Sequence, residues 1–141
     1  MSRLRLVHLI PLVLAIASLG AQHAKEPHGH TDAAKIKNPV RANAASIAAG
    51  QKVYAMHCAE CHGDAGEGDG PMAAYTGDPQ PSDLTDAMWQ HGSSDGEIYT
   101  AIHDGIEGTG MRNYDKELTS EDIWHVVNYL RSIGPKPAKN H

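Results

Sequence analysis

The most distinctive chemistry lies in the segment Cys58-Ala59-Glu60-Cys61-His62. Cys58 and Cys61 are the only cysteines of the 141-residue chain. Residues three positions apart on a helical turn share a face, so both thiols can reach one partner. Such a pair can be a redox dithiol, half of a zinc site, or an anchor that holds a haem through two thioether bonds. In the last case His62 would stand close enough to bind the iron.

The composition favours the haem interpretation of this segment. Only 5% of the residues are aromatic and Phe is absent, so a buried haem would supply apolar bulk that the core lacks. A dithiol of the thioredoxin type needs strands around it, and no strand signal is strong anywhere in the sequence. A zinc site would need His57 or His62 and a further ligand. These two alternatives are less favoured but stay open.

The N-terminus has the pattern of an export signal. Arg3 and Arg5 precede an apolar run over residues 6–19, and small residues follow. This pattern predicts a secretory signal peptide over residues 1–20 and a periplasmic or otherwise exported domain. The alternative is an uncleaved anchor, although the run is short for a membrane span of about 20 residues. Membrane attachment is expected only in that case.

Residues 21–43 have no apolar periodicity and contain His23, His28 and His30. They predict a flexible linker, and its His-x-His pair could also bind a metal. The net charge of −5 argues against nucleic-acid binding.

Helix signals dominate residues 44–135. Residues 44–58 are rich in alanine and predict a first helix, despite the cost of Gly50. Two capping boxes predict the starts of two later helices, the last of which should bury an apolar stripe. The boxes are Ser94 with Glu97 and Thr119 with Asp122, and the stripe is Ile123, Val126, Val127 and Leu130. The expected fold is therefore all-α, with about three main helices and a polar tail over residues 136–141.

The cysteine motif, a late methionine in a glycine-containing loop and an aromatic last helix together resemble the class I c-type cytochromes, the bacterial mono-haem cytochrome c family. The resemblance covers residues 45–133. It implies a cytochrome c fold, with three main helices and irregular loops around one covalently bound haem c.

The resemblance also implies roles for individual residues. Cys58 and Cys61 would attach the haem, and His62 and Met111 would be the axial ligands of its iron. The carbonyl of Pro71 would accept a hydrogen bond from the free ring nitrogen of His62. This chain departs from the family at one position: the family usually has proline after the axial methionine, where this chain has Arg112.

Other residues acquire expected roles from the same resemblance. Gly50 and Tyr54 would meet Tyr129 of the last helix, and Trp89 or Tyr75 would donate to a haem propionate. Weaker candidates for the second axial position are three further methionines and four histidines. They are Met56, Met72, Met88, His57, His91, His103 and His125.

Iron held by histidine and methionine has no open position for a substrate, so the expected function is one-electron transfer. The carrier would meet redox partner proteins, such as a dehydrogenase, oxidase or reductase, through transient contacts. It could equally be the electron-accepting subunit of an oxidoreductase complex. The alternative is a haem subunit with a labile methionine that binds peroxide or a diatomic gas.

Overall fold

The computed structural model describes residues 32–135, and within them every regular element is helical. Four α-helices and two single-turn 3-10 helices make up the described fold. They are α1 (Ala44–His57), α2 (Ala59–His62), α3 (Asp95–Asp104), α4 (Ser120–Ile133) and the turns Ala33–Lys35 and Ala73–Tyr75. The all-α prediction is confirmed, and the three expected main helices are α1, α3 and α4.

The helix starts follow the predicted capping chemistry. The hydroxyl of Ser94 accepts a hydrogen bond from the amide of Glu97, and the carboxylate of Glu97 accepts one from the amide of Ser94. Thr119 and Asp122 form the same reciprocal pair at the start of α4. These side chains satisfy amides that have no partner within the helix, which fixes where each helix begins.

The core is built on the close approach of α1 to α4. A Cβ atom on Gly50 would overlap the carbonyl of His125 and lie 2.9 Å from the Cβ of Tyr129. The rings of Tyr54 and Tyr129 pack at 5.1 Å between centroids. The absence of a side chain at Gly50 therefore allows the two backbones to touch, and the predicted meeting of Gly50, Tyr54 and Tyr129 is confirmed.

The inward face of α4 carries the stripe that the sequence predicts. All four of its residues are at most 4% exposed: Ile123, Val126, Val127 and Leu130. Burying such a side chain contributes about 1.5–3 kcal/mol each. This stripe forms one side of the core and ends at the wall of the cavity described below.

Residues 32–43, the described part of the predicted linker, make specific contacts with the core, so the prediction of a flexible linker is corrected for this part alone. Ala33 is buried, and the side-chain amide of Asn38 donates to the Oδ1 atom of Asn128 at 2.9 Å. Asn128 is a buried residue of α4, so this contact ties residues 32–43 to the core. Hydrogen bonds from amide side chains leave no apolar periodicity, which explains why the sequence pattern missed them.

The predicted signal peptide (1–20), the histidines of residues 21–31 and the tail (136–141) lie outside the described residues. Between residues 32 and 135, no helix is both long and apolar enough to cross a membrane.

Candidate functional site

A break between α1 and α2 presents the cysteine motif. The first helix ends at His57, and Cys58 leaves helical geometry with φ −120° and ψ −38°. The carbonyl of Cys58 then accepts hydrogen bonds from the amides of Cys61 at 3.1 Å and His62 at 2.9 Å. These bonds wind residues 58–62 into a separate short turn, which places all three side chains of the motif on the wall of one cavity.

This cavity has a volume of about 350 Å³ and is enclosed by parts of the chain far apart in sequence. Cys58, Cys61, His62 and Met111 all line it, so the structure brings together four of the five predicted site residues. Much of the remaining wall is apolar, formed by residues such as Leu84, Ile98, Ile102, Ile106, Val126 and Leu130. Such a wall suits a large, flat, mostly apolar ligand.

The hydrogen-bond partner of His62 differs from the prediction. Its Nδ1 atom lies 3.1 Å from the carbonyl oxygen of Ser82. A carbonyl can only accept, so Nδ1 carries the proton and Nε2 keeps the lone pair that a metal requires. Pro71, the predicted acceptor, is not among the residues that line the cavity; it belongs to a separate surface cleft beside Asp69. The role assigned to Pro71 is corrected to Ser82.

The glycine-rich loop that follows His62 places Ser82. The amide of Leu84 donates to the carbonyl of Gly66 at 2.7 Å. A Cβ atom on Gly68 would lie 2.5 Å from the carbonyl oxygen of Pro81, so the two backbones are in direct contact. The segment that carries Ser82 is thus held against the loop by main-chain contacts.

Burial perturbs the titratable groups of the motif. It raises the pKa of the Cys58 thiol to about 12, with a smaller contribution from the neighbouring Cys61. It also lowers the pKa of His62, although the hydrogen bond to Ser82 acts in the opposite direction. His62 is therefore held in the neutral form, which is the form of imidazole that binds a metal.

The loop between α3 and α4 holds Met111 through a closed set of hydrogen bonds. The Oγ1 atom of Thr109 accepts from the amide of Met111 at 3.0 Å and donates to the carbonyl of Ile106 at 2.8 Å. The amide of Ile106 in turn donates to the carbonyl of Met111 at 2.9 Å. Both backbone groups of Met111 are fixed, so the loop is ordered without the proline that follows the methionine in the family.

Arg112, which stands in place of that proline, forms its contacts outside the motif. Its guanidinium makes a bidentate ion pair with Glu117 and lies 4.3 Å from the ring centroid of Tyr114. The pKa of Glu117 is lowered, mainly by this hydrogen bond. Two of the nitrogens of Arg112 are thereby committed to Glu117.

Only some of the weaker candidates for an axial position line the cavity. Met56 and Met88 reach the cavity, but both are 70% exposed and lie at its mouth. Met111 instead packs against the buried core. The remaining methionine, Met72, and two of the four histidines, His103 and His125, do not line the cavity, whereas His57 and His91 do.

The two aromatic candidates for a propionate contact also differ. Trp89 lines the cavity, but its ring N–H donates to the carbonyl of Asp86 at 3.1 Å. Tyr75 is 78% exposed and is not among the residues that line the cavity. The structure therefore supports cavity packing for Trp89 and assigns no site role to Tyr75.

Comparison with known proteins agrees with this geometry. The family model described as cytochrome c matches residues 47–134. Over 87 residues, the chain is 31% identical to the Cbb3-type cytochrome c oxidase subunit FixP of Bradyrhizobium diazoefficiens. That alignment covers 62% of this chain but only 27% of the relative, so the chain spans little more than a quarter of FixP.

Two solved structures share the fold at similar identity. One is the Kuenenia stuttgartiensis reducing HAO-like protein complex Kustc0457/Kustc0458, with a TM-score of 0.64 and 31% identity, covering 71% of this chain and 50% of that chain. The other is the KustC0563 c-type cytochrome, with a TM-score of 0.50 and 28% identity. The match covers 61% of this chain and 98% of that chain. The shared domain therefore makes up nearly all of that chain.

Proposed function

The chain belongs to the cytochrome c family, and we propose that it is a one-electron carrier with a single haem c. Cys58 and Cys61 would attach the haem, and His62 and Met111 would be the ligands of its iron. One observation carries this proposal: these four residues, from two distant parts of the chain, line the same cavity. Family membership favours haem attachment over the redox-dithiol and zinc interpretations.

The residues of the cavity fit a haem held in this way. Two thiols face it from one helical turn, which is the placement that two thioether bonds require. The hydrogen bond to Ser82 leaves Nε2 of His62 as the free ring nitrogen. Apolar side chains of α3 and α4, such as Ile102 and Leu130, complete the wall and exclude water.

Bound haem supplies an iron that changes between the ferrous and ferric states, and a thioether ligand raises its reduction potential relative to a second histidine. The chain supplies the surroundings of that exchange. Ser82 fixes the proton on Nδ1 of His62, and Thr109 holds the backbone of Met111. With His62 and Met111 both bound to the iron there would be no open position for a substrate, which supports electron transfer rather than catalysis.

The carrier acts outside the cytoplasm, as residues 1–20 indicate, and is membrane-bound only if they remain attached. It serves a respiratory or dehydrogenase-linked chain and meets its partner proteins transiently. The name of FixP as an oxidase subunit supports a role within a complex. The likeness to KustC0563 supports a free carrier, because the shared domain makes up nearly all of that chain.

Substitution of the second axial ligand tests the proposal. In Met111→Ala we expect the ferric protein to lose the long-wavelength thioether–iron absorption band while the haem remains covalently attached. Met88→Ala is the matched control, because Met88 also lines the cavity but lies exposed at its mouth. Survival of the band in Met111→Ala, or its loss in Met88→Ala, would overturn the assignment.

Two further measurements test the cofactor and its coordination. A pyridine haemochrome assay combined with the intact mass should give one covalently bound haem per chain and show whether residues 1–20 are removed. The reduced protein should bind carbon monoxide slowly and incompletely. Fast, full binding would instead support the alternative of a gas- or peroxide-binding subunit.

A further inference from the structure

Tyr114 connects the two halves of the proposed iron site. Its hydroxyl donates a hydrogen bond to the main-chain carbonyl of His57 at 2.8 Å, and the residue is buried. His57 is the last residue of α1 and directly precedes Cys58. Tyr114 itself lies three positions after Met111, in the loop that leads to α4. A single side chain thus joins the Met111 loop to the cysteine turn.

The accepting carbonyl is one that the break at Cys58 leaves without its helical donor. In a continuous helix the carbonyl of His57 would accept from the amide of Cys61. That amide donates instead to the carbonyl of Cys58 at 3.1 Å. The hydroxyl of Tyr114 therefore supplies a donor at the end of α1, where last-turn carbonyls need partners from outside the helix.

The backbone of Tyr114 is anchored on a third element. Its amide lies 3.2 Å from the carbonyl oxygens of both Ile102 and His103, in the last turn of α3. The guanidinium of Arg112 covers the Tyr114 ring. Tyr114 is consequently fixed to α1, to α3 and to the neighbour of Met111, and the loop cannot swing away from the cavity without breaking one of these contacts.

We infer that Tyr114 is a positioning residue that slows the departure of Met111 from the iron, through the hydrogen bond from its hydroxyl to His57. This inference rests on the proposed ligation by Met111. The thioether can leave only when its loop moves outward. Tyr114 is the first buried residue after Met111, and its hydrogen bond to His57 opposes that movement. Tyr114 also lines the cavity, but its hydroxyl is engaged by the carbonyl of His57, so it acts through the backbone of the loop.

The test replaces only the hydroxyl. Tyr114→Phe keeps the buried ring and its contact with Arg112, so the fold should be retained. Imidazole is added in excess to the ferric protein, and the loss of the thioether–iron band is followed in time. At saturating imidazole the rate reports how often Met111 leaves. We expect this rate to rise roughly two- to tenfold in Tyr114→Phe, as for loss of one hydrogen bond.

Tyr99→Phe is the matched control. Its hydroxyl donates to the Oγ atom of Ser120 at 3.0 Å, and the residue does not line the cavity. Its saturating rate should equal that of the unaltered protein. An unchanged rate in Tyr114→Phe, or an equal rise in both variants, would overturn the inference while leaving ligation by Met111 intact. If Met111→Ala kept the thioether–iron band, the proposed ligation itself would fail, which is a different result.

Discussion

The Nδ1 atom of His62 lies 3.1 Å from the carbonyl oxygen of Ser82, twenty positions further along the chain. The orientation of the imidazole is therefore set by the main chain of another loop rather than by a neighbouring side chain. A hydrogen bond at this position raises the basicity of the opposite ring nitrogen. Any change that shifts the backbone of Ser82 should then be measurable at the iron.

Gly68→Ala tests this relationship. A methyl group there would press on the carbonyl of Pro81 at 2.5 Å and displace Ser82. A weaker hydrogen bond would make His62, the proposed iron ligand, a poorer electron donor to ferric iron, so we expect a higher reduction potential. Gly77→Ala is the control, because Gly77 has a similar φ of +85° but a Cβ atom added there would meet no atom within 4 Å. Equal potentials in the two variants, measured by spectroelectrochemical titration, would contradict the prediction.

Gly50→Ala should destabilise the protein, although alanine is the better helix former by about 1 kcal/mol. The added methyl group would overlap the carbonyl of His125 and force α1 away from α4. Overpacking of this kind costs about 1–3 kcal/mol. Denaturant unfolding of the haem-containing protein measures the change. Ala48→Gly is the control: it lies at an exposed position of α1 and should lower the free energy of unfolding only by the difference in helix propensity. A Gly50→Ala protein more stable than the unaltered one would rule out the close contact.

Thr119→Ala should remove about 1 kcal/mol of stability at pH 7, the usual value of an N-cap. The hydroxyl of Thr119 donates to the carboxylate of Asp122 at 2.6 Å and is the main cause of its lowered pKa. A lowered pKa stabilises the fold above the ordinary value of 3.8, and the contribution is lost as pH falls through the folded pKa.

The difference in unfolding free energy between Thr119→Ala and the unaltered protein should accordingly narrow in acid. Unfolding at neutral pH and again below pH 3 provides the comparison. Asp122→Asn is the control, since it has no carboxylate to protonate and its stability should vary less over the same interval. If the difference in unfolding free energy did not change with pH, the charge of Asp122 would add nothing, and Thr119 would contribute only as a helix cap.

Glu60 should help to attract cationic redox partners. It is an exposed residue that lines the cavity, in a chain with a net charge of −5. Reduction by hexaammineruthenium(II), a small cation, should slow as salt is added, and Glu60→Gln should lower the low-salt rate. Glu121→Gln removes an exposed charge that does not line the cavity, so its effect should be smaller.

Stopped-flow kinetics at low ionic strength and near 1 M salt, where the screening length is about 3 Å, should show the difference between these variants disappear. If Glu60→Gln and Glu121→Gln lowered the low-salt reduction rate equally, the rate would depend on the net charge of the protein and not on the charge of Glu60 beside the cavity.

The features that could be predicted from the sequence are those with short-range causes. The starts of α3 and α4 follow from side chains three positions apart, as in Ser94 and Glu97, so they are visible in the sequence itself. The meeting of Gly50 with Tyr129 is long-range, but a glycine inside a helix is unusual enough to indicate a close contact. The grouping of the cysteine turn with Met111 came from family resemblance, and the cavity agrees with it.

Two of the hydrogen bonds that were missed have main-chain carbonyls as acceptors. Every residue has a carbonyl, so nothing in the sequence marks that of Ser82 as the partner of His62, or that of His57 as the partner of Tyr114. The contacts of residues 32–43 with the core were missed because the partners are far apart in sequence. The side-chain amide of Asn38 donates to the side chain of Asn128, 90 positions away, and no local sequence pattern marks such a pair.

The hydrogen bonds that Thr109 makes around Met111 have a thermal consequence. A proline after the methionine would stiffen the loop by lowering the entropy of the unfolded chain, an effect that persists on warming. A hydroxyl bridge is instead an enthalpic restraint, and its bonds break more often as temperature rises. The proposed iron site should therefore loosen on heating while α1 and α4 are still folded. The reduction potential should then change at temperatures where the helical content does not.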